Sequence, residues 1–179
     1  MPGGPAPGPS SMQLLLIRHA PAEPRLEDGG TQPDDGLRAL TPKGRRRMRR
    51  AARGLLVAQP TVDLVATSPL VRTTQTAEIV AEAYDAMPLV SATELQPRAG
   101  VDAVISWLRQ LEGRQVVAAV GHEPDLSVFA SFLLTGHREP ILSFGKGGAA
   151  LLEVPPAIAP GSCVLAWLMA PRQLRRLGR

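Results

Sequence analysis

Three short apolar runs dominate the hydrophobic pattern, and each ends in residues that can bind an anion. They are residues 14–17, 62–67 and 115–120, all rich in Leu, Val, Ile and Ala. Runs of this length that are apolar at most positions predict strands buried on both faces, which is typical of parallel sheets. Because the carboxyl ends of parallel strands meet at one edge, and open α/β sheets bind ligands there, that edge is the predicted site.

Helical patterns lie between and after these runs. Thr41 predicts an N-cap and Pro42 the first position of an amphipathic helix over residues 42–59. Further helices are predicted from residue 70, over residues 101–111 and from residue 124. Residues 89–90 and 93–95 are weak strand or loop signals, and strands are predicted at residues 141–144, 149–154 and 162–169. The last strands are expected to be hairpin-like, with connections at residues 145–148 and at the Pro-rich residues 155–161. The pattern predicts an α/β fold with a mostly parallel, mixed central sheet and helices on both faces.

Length and composition favour one domain. A chain of 179 residues, 44% hydrophobic but only 3% aromatic, suits an aliphatic core under a helix-covered sheet. Residues 1–11 are almost entirely Pro, Gly, Ala and Ser, so they are expected to be a flexible extension before a single domain at residues 12–179. The aperiodic segment 21–40 is expected to form a loop or flap beside the site.

The charge pattern narrows the classes of partner. A net charge of +4 favours acidic partners in general terms. Five arginines on one face of the first helix could indicate nucleic-acid binding, but a solvated helix face is the commoner cause and no aromatic side chains accompany them; they are Arg45, Arg46, Arg49, Arg50 and Arg53. Without a membrane-spanning run or a secretion signal, and with one cysteine, Cys163, in an apolar stretch, the predicted location is the cytoplasm.

Two arginines and two histidines follow the three buried runs. Arg18 and His19 come after the first, Arg72 follows the second through Ser68 and a helix start, and His122 follows the third. Both arginines can clamp phosphoryl oxygens at any working pH, and His122 adds a donor. A neutral imidazole is nucleophilic near neutral pH, so His19 is the candidate nucleophile for phosphoryl transfer.

Each of these residues also has an ordinary structural interpretation. A single histidine at a strand end is commonly just hydrogen-bonded, and Arg72 alone would be a surface helix residue. His137 fits a helix cap or surface position. Lys146 fits a turn, although it could also contact an anion bound at the site. The joint placement of the four residues favours a site, and without a Cys/His cluster or paired carboxylates no metal or other cofactor is predicted.

In these motifs the sequence resembles the histidine phosphatase, or phosphoglycerate mutase-like, superfamily from residue 14 to about residue 154. Arg18-His19-Ala20 matches the family's Arg-His-Gly, with Ala in place of Gly; the Ser-Pro-x-x-Arg-x-x-Gln-Thr-Ala motif is complete at residues 68–77, and the second histidine is His122. The segment after Arg38, residues 40–44, is similar to the SixA-type phosphatases. The resemblance implies phosphohistidine on a phosphotransfer protein as substrate, His19 as acceptor, and Arg18, Arg72 and His122 as phosphate ligands, with no cofactor.

One departure from the family pattern concerns the leaving group. Many members place a general acid, usually Glu, where this chain has Pro97. A positioned acid is worth roughly a hundred- to ten-thousandfold in rate, so esters with poor leaving groups are expected to react slowly. Phosphohistidine needs less help because its imidazole leaves readily. Glu94 or Glu123 could still act as a substitute acid.

Other functions remain open at this stage. The same pocket would suit a broader phosphomonoesterase acting on small phosphate esters. Ala20 and Pro97 would fit a phosphate-binding module without turnover. A mutase needs the missing acid, and a nucleic-acid binder would use the arginines of the first helix; neither nucleic acid nor a membrane is a predicted partner.

Overall fold

A six-stranded mixed sheet forms the centre of the structure, a computed structural model that describes residues 11–24, 35–111 and 113–179. The strands are β1 (Met12–Arg18), β2 (Leu64–Thr67), β3 (Leu89–Ser91), β4 (Val116–Gly121), β5 (Ala149–Val154) and β6 (Val164–Met169). Their order is β3-β2-β4-β1-β5-β6. Strands β1 to β4 pair in parallel and β5 and β6 pair antiparallel, which confirms the predicted mostly parallel, mixed sheet.

Helices cover both faces of this sheet, as predicted. They are α1 (Pro42–Ala58), α2 (Val71–Ala83), α3 (Val101–Arg109), α4 (Asp125–Thr135) and α5 (Pro171–Leu177), with short 3-10 helices at Asp35–Leu37 and Thr93–Leu95. Side chains alternate along β1, so that Leu14 and Leu16 pack with α3 and α4, while Leu15 and Ile17 pack with α1, α2 and α5. Each face therefore has its own buried aliphatic cluster.

The predicted strand at residues 141–144 is wrong, and with it the hairpin at residues 145–148. The Phe144 N–H donates to the Glu123 carboxylate at 2.6 Å, and the Phe144 carbonyl accepts from Arg18 at 2.6 Å. Backbone groups that would join a strand ladder thus bond to side chains, and Ile141 is 63% exposed. The hairpin predicted around residues 155–161 is confirmed, because β5 and β6 on either side of it pair antiparallel. The weak signal at residues 93–95 is a 3-10 helix.

Helix α5 is absent from the sequence prediction because it is short and strongly basic. Its packing on α1 requires glycine: a Cβ on Gly54 would lie 1.9 Å from the Leu174 carbonyl oxygen, and one on Gly178 would lie 2.1 Å from the Arg50 carbonyl oxygen. Leu174 is fully buried at this contact. Two glycines and one leucine therefore make the contact between α5 and α1. One buried leucine is too weak a hydrophobic pattern to predict a helix from the sequence.

The loop after β1 is closed at its base. Ala22 and Leu40 form an isolated antiparallel bridge, and the Thr41 N–H donates to the Pro21 carbonyl at 3.0 Å. Residues 25–34 lie outside the described residues, so the flap stays a prediction, as does the single domain at residues 12–179. The predicted extension likewise falls on residues 1–10, which are not described. Within the described chain, no helix has the length and apolar character needed to cross a bilayer.

Candidate active site

The pairing of β1 with β4 brings the two candidate histidines together. Arg18 is in register with Gly121, so the next residues, His19 and His122, lie side by side beyond the strand ends. The His19 N–H donates to the Gly121 carbonyl at 3.1 Å, and the two ring centroids are 5.4 Å apart. Both histidines are buried. The predicted convergence at the carboxyl edge is therefore present for this pair.

Strand β2 adds Ser68 and Arg72 to the same edge. The Ser68 N–H donates to the Val120 carbonyl at 3.1 Å, which places its hydroxyl 2.9 Å from Nε2 of His122. Arg72 lies in the first turn of α2 and is only 3% exposed. The interpretation of Arg72 as a surface helix residue is therefore wrong. His137, in contrast, is exposed just after the end of α4, as predicted.

A backbone contact determines which nitrogen of His19 is free. Nδ1 lies 2.8 Å from the Ala20 carbonyl oxygen. Because a carbonyl can only accept, Nδ1 carries the proton and donates it. In the neutral ring Nε2 then keeps its lone pair, which is the arrangement that a nitrogen nucleophile needs.

Burial and neighbouring cations keep both rings neutral. Burial lowers the pKa of His19 from 6.5 to about 4, with Arg72, Arg18 and Lys146 adding to the effect and the Ala20 carbonyl opposing it. Burial likewise lowers the pKa of His122 to about 3, with further contributions from Arg72 and His19. The charged form of each ring is disfavoured by desolvation and by nearby positive charge. At neutral pH the nucleophile candidate is therefore unprotonated at Nε2.

Each of the two arginines donates a hydrogen bond to a different backbone carbonyl. Nη1 of Arg18 donates to the Phe144 carbonyl, and Nη1 of Arg72 donates to the Asp35 carbonyl at 2.7 Å. Nη2 of Arg72 also pairs with Asp35 Oδ2 at 3.1 Å. Among the described residues, Nε of Arg18 and Nδ1 of His122 are buried without a hydrogen-bond partner. An anion that reached these two nitrogens would satisfy groups that are costly to leave unpaired.

The four predicted residues line one open cleft of about 660 Å³. Lys146, for which a turn position or a contact with the anion site was expected, lies in a turn and also lines the cleft. Pro97 is in the wall together with Glu123, whose Oε1 accepts from the Ser127 hydroxyl and the Phe144 N–H. Glu94 instead lines a smaller apolar pocket beside His122. Of the two substitute acids considered, only Glu123 therefore lines the cleft.

Sequence reasoning missed residues that organise the cleft. Asp35 pairs with Arg72 and also with Nε of Arg38, at 2.8 Å. Thr76 accepts from the Ala20 N–H at 3.1 Å, and Gln75 accepts from the Leu40 N–H at 2.8 Å. Gln75 and Thr76 belong to the motif at residues 68–77, but their partners lie far along the chain. The spacing of residues within that motif is the one sequence signal that could have identified Gln75 and Thr76.

Two further features bear on the chemistry of the cleft. Ala20, which replaces the family's glycine, is fully buried and is not among the residues with positive φ, so its backbone conformation does not require glycine. Within the described part of the chain, no group of three His, Cys, Asp or Glu side chains could hold a metal ion. The cleft instead offers cationic donors around a neutral imidazole.

Comparison with known proteins gives consistent matches. A sequence model described as the histidine phosphatase superfamily (branch 1) matches residues 14–100. An uncharacterized protein of Picosynechococcus sp. is 33% identical over 139 residues, which cover 76% of this chain and 82% of that protein. The structure of the protein histidine phosphatase SixA complexed with tungstate is 27% identical with a TM-score of 0.75, covering 91% of this chain and 99% of that one. Phosphoglycerate mutase from Plasmodium falciparum shares the fold at 15% identity, with a TM-score of 0.59 and coverage of 88% and 90%.

Proposed function

Because the chain belongs to the histidine phosphatase superfamily and is a phosphatase, we propose that it hydrolyses phosphohistidine on a phosphotransfer protein through a covalent phospho-His19 intermediate. The observation that carries the proposal is the fixed tautomer of His19. Its Nδ1–H is held by the Ala20 carbonyl, so the lone pair is on Nε2 of a ring whose pKa is about 4. The similar SixA structure is that of a protein histidine phosphatase, which supports a protein phosphohistidine as the substrate.

The reaction takes place in two displacements. Nε2 of His19 attacks phosphorus, and the bond between phosphorus and the substrate imidazole breaks as that imidazole leaves with the bonding electron pair and takes a proton from solvent. Water then attacks phospho-His19, the bond between Nε2 and phosphorus breaks, and inorganic phosphate is released with His19 regenerated. Both steps transfer a phosphoryl group without a change of oxidation state.

The cationic residues would bind the phosphoryl oxygens during both steps. Arg18 and Arg72 keep their charge at working pH, and a phosphoryl group would compete with Asp35 for the Nη donors of Arg72. The Ser68 hydroxyl can donate to Nε2 of His122, which leaves the proton on Nδ1 to donate to an oxygen of the substrate. The three donors thus surround the position at which negative charge is carried in the transition state.

The leaving group is the reason for choosing phosphohistidine over esters. Pro97, which lines the cleft, cannot donate a proton. An imidazole leaves without much assistance, whereas an alkoxide does not, so the cleft favours the more labile bond. A broader phosphomonoesterase is the second candidate, because the Glu123 carboxylate also lines the cleft. The buried, free Cys163 is compatible with the reducing cytoplasm in which we propose that the enzyme acts.

A substrate panel tests the proposal. A phosphotransfer domain phosphorylated on histidine and p-nitrophenyl phosphate are assayed side by side with the wild type, His19→Ala and His137→Ala. We expect higher kcat/KM on the phosphohistidine protein, a loss of at least about a thousandfold in His19→Ala, and no loss in the exposed control His137→Ala. Rapid quench of the wild type should trap acid-labile phosphate on His19. Preference for the ester, or full activity in His19→Ala, would contradict the proposal.

A further inference from the structure

A second basic feature lies outside the catalytic cleft, in the groove between α1 and α5. The groove has a volume of about 190 Å³, and among the described residues it is lined by five arginines, namely Arg50, Arg172, Arg175, Arg176 and Arg179. Within the described part of the chain, none of these side chains forms an ion pair. Positive charge is therefore concentrated here without an internal counter-charge.

The fold keeps these arginines close together despite their repulsion. Because Gly54 and Gly178 allow α5 to pack closely on α1, arginines from both helices share one surface. Burial lowers the pKa of Arg175, and the neighbouring Arg47, Arg50 and Arg172 lower it further. Like charges held together in this way create a strong positive potential that attracts an anionic partner.

Shared lining residues link this groove to the catalytic cleft. A small pocket between them is lined by Pro21, Arg47, Lys146 and Arg175, among others. Lys146 also lines the cleft that holds His19, and Arg175 also lines the arginine groove. We call the surface formed by Lys146, Arg47 and the five groove arginines the basic band. It extends from the phosphate site to the far end of α5.

From these shared residues and their positive charge, we propose that the basic band is a docking surface for an acidic face of the phosphorylated protein substrate. The inference rests on the proposed function and adds the chemistry of the partner. A partner whose phosphohistidine enters the cleft would place its neighbouring surface over Lys146 and Arg47, and its acidic side chains on the groove. Arginine forks match carboxylates in geometry as well as charge. Because no aromatic side chain lines the groove or the small pocket, the surface has no platform for stacking bases.

Two synthetic phosphohistidine peptides test this surface. Both carry ten residues on each side of the phosphohistidine, about 33 Å per side when extended; one is flanked by Glu and Asp, the other by Lys. For the wild type we expect a KM for the acidic peptide about tenfold lower than for the basic one, with the difference declining as salt is raised. The variant Arg172→Glu/Arg176→Glu should remove that preference.

A matched variant controls for net charge. Arg46→Glu/Arg49→Glu makes the same change in charge on exposed residues of α1 that line neither the groove nor the cleft, and it should keep the preference. The milder Arg172→Gln/Arg176→Gln provides a second variant of the groove, with cooperative thermal unfolding as the check that each variant is folded. An unchanged preference in both groove variants, or equal loss in the control, would overturn the proposal.

Binding measurements separate this inference from the catalytic one. Fluorescence anisotropy with the unphosphorylated acidic peptide reports docking without turnover, and about tenfold weaker binding is expected in Arg172→Glu/Arg176→Glu. Turnover of both peptides with equal KM and equal binding would leave the phosphatase proposal standing and reject the docking surface. Selective binding of the acidic peptide without turnover of either peptide would support the docking surface and reject the phosphatase proposal. Tighter groove-dependent binding to duplex DNA or to anionic lipid vesicles than to the acidic peptide would assign the band to another partner and overturn the inference.

Discussion

At the scale of single residues, the state of His19 depends on contacts that sequence cannot supply. The motif Arg18-His19-Ala20 indicated a nucleophile and a phosphate ligand, but neither the ring nitrogen involved nor the strength of desolvation can be predicted from residue types. The Ala20 carbonyl, 2.8 Å from Nδ1, determines which ring nitrogen keeps its lone pair. Burial beside Arg72 determines how strongly the ring is desolvated. Asp35 was missed for a similar reason: its partner Arg72 is 37 positions away in the chain.

Titration of the free enzyme should show the lowered histidine pKa directly. By NMR, His19 is expected to become protonated near pH 4 and not near its ordinary 6.5. Between these pH values the unfolded chain binds more protons than the folded one, so the free energy of unfolding should fall as pH drops from about 6.5 towards 4. His122, with a pKa of about 3, should extend the fall to lower pH. The His19 shift alone corresponds to about 3 kcal/mol.

The variant His19→Gln serves as control for this titration. It removes one titrating group, so its free energy of unfolding, measured by urea denaturation, should depend less steeply on pH between 6.5 and 4. A His19 resonance that titrates near 6.5, or a pH dependence of unfolding that is identical in His19→Gln, would show that the ring is not desolvated as the structure has it.

At the scale of elements, the sequence predicted well where one element had a strong pattern of its own. The run at residues 115–120 and the N-cap at Thr41 both lead to the observed elements β4 and α1. Prediction failed where tertiary contacts decide. Residues 141–144 are apolar enough for a strand, but Phe144 gives its backbone groups to Glu123 and Arg18. Helix α5 depends on glycines in two separate segments, which no local pattern reveals.

The α1–α5 contact gives a stability prediction that opposes helix propensity. In an isolated helix, Gly54→Ala would be favourable by about 1 kcal/mol. Here the added Cβ would lie 1.9 Å from the Leu174 carbonyl oxygen, so α5 must move, and overpacking of this kind costs about 1–3 kcal/mol. We expect a net loss in the free energy of unfolding, measured by chemical denaturation. The exposed substitution Arg46→Ala on the same helix should be nearly neutral, and a gain in stability for Gly54→Ala would contradict the packing described.

At the scale of the whole molecule, strand order explains why four separated residues meet. β4 lies between β1 and β2, so the ends of three parallel strands are neighbours and deliver His19, His122 and Ser68 together. The sequence predicted that the strand ends share one edge of the sheet. It did not predict the strand order, in which β1 also pairs with β5, a strand far away in the sequence. The consequence is that the proposed phosphate site joins segments from across residues 18–122, so that a ligand bound there would bridge much of the sheet.

This bridging predicts that inorganic phosphate stabilises the whole domain. A ligand that binds only the folded state adds about 2.7 kcal/mol at a hundred times its Kd, which raises the Tm of a domain of this size by roughly 5–10 °C. In Arg72→Met the shift should largely disappear, since the substitution removes a buried cation of the cleft, whereas the exposed control Arg46→Met should keep it. Scanning fluorimetry in a phosphate series, with chloride at equal ionic strength as reference, measures the effect. Equal shifts in Arg72→Met and the wild type would place the stabilising phosphate outside the cleft, because no other change distinguishes the two proteins.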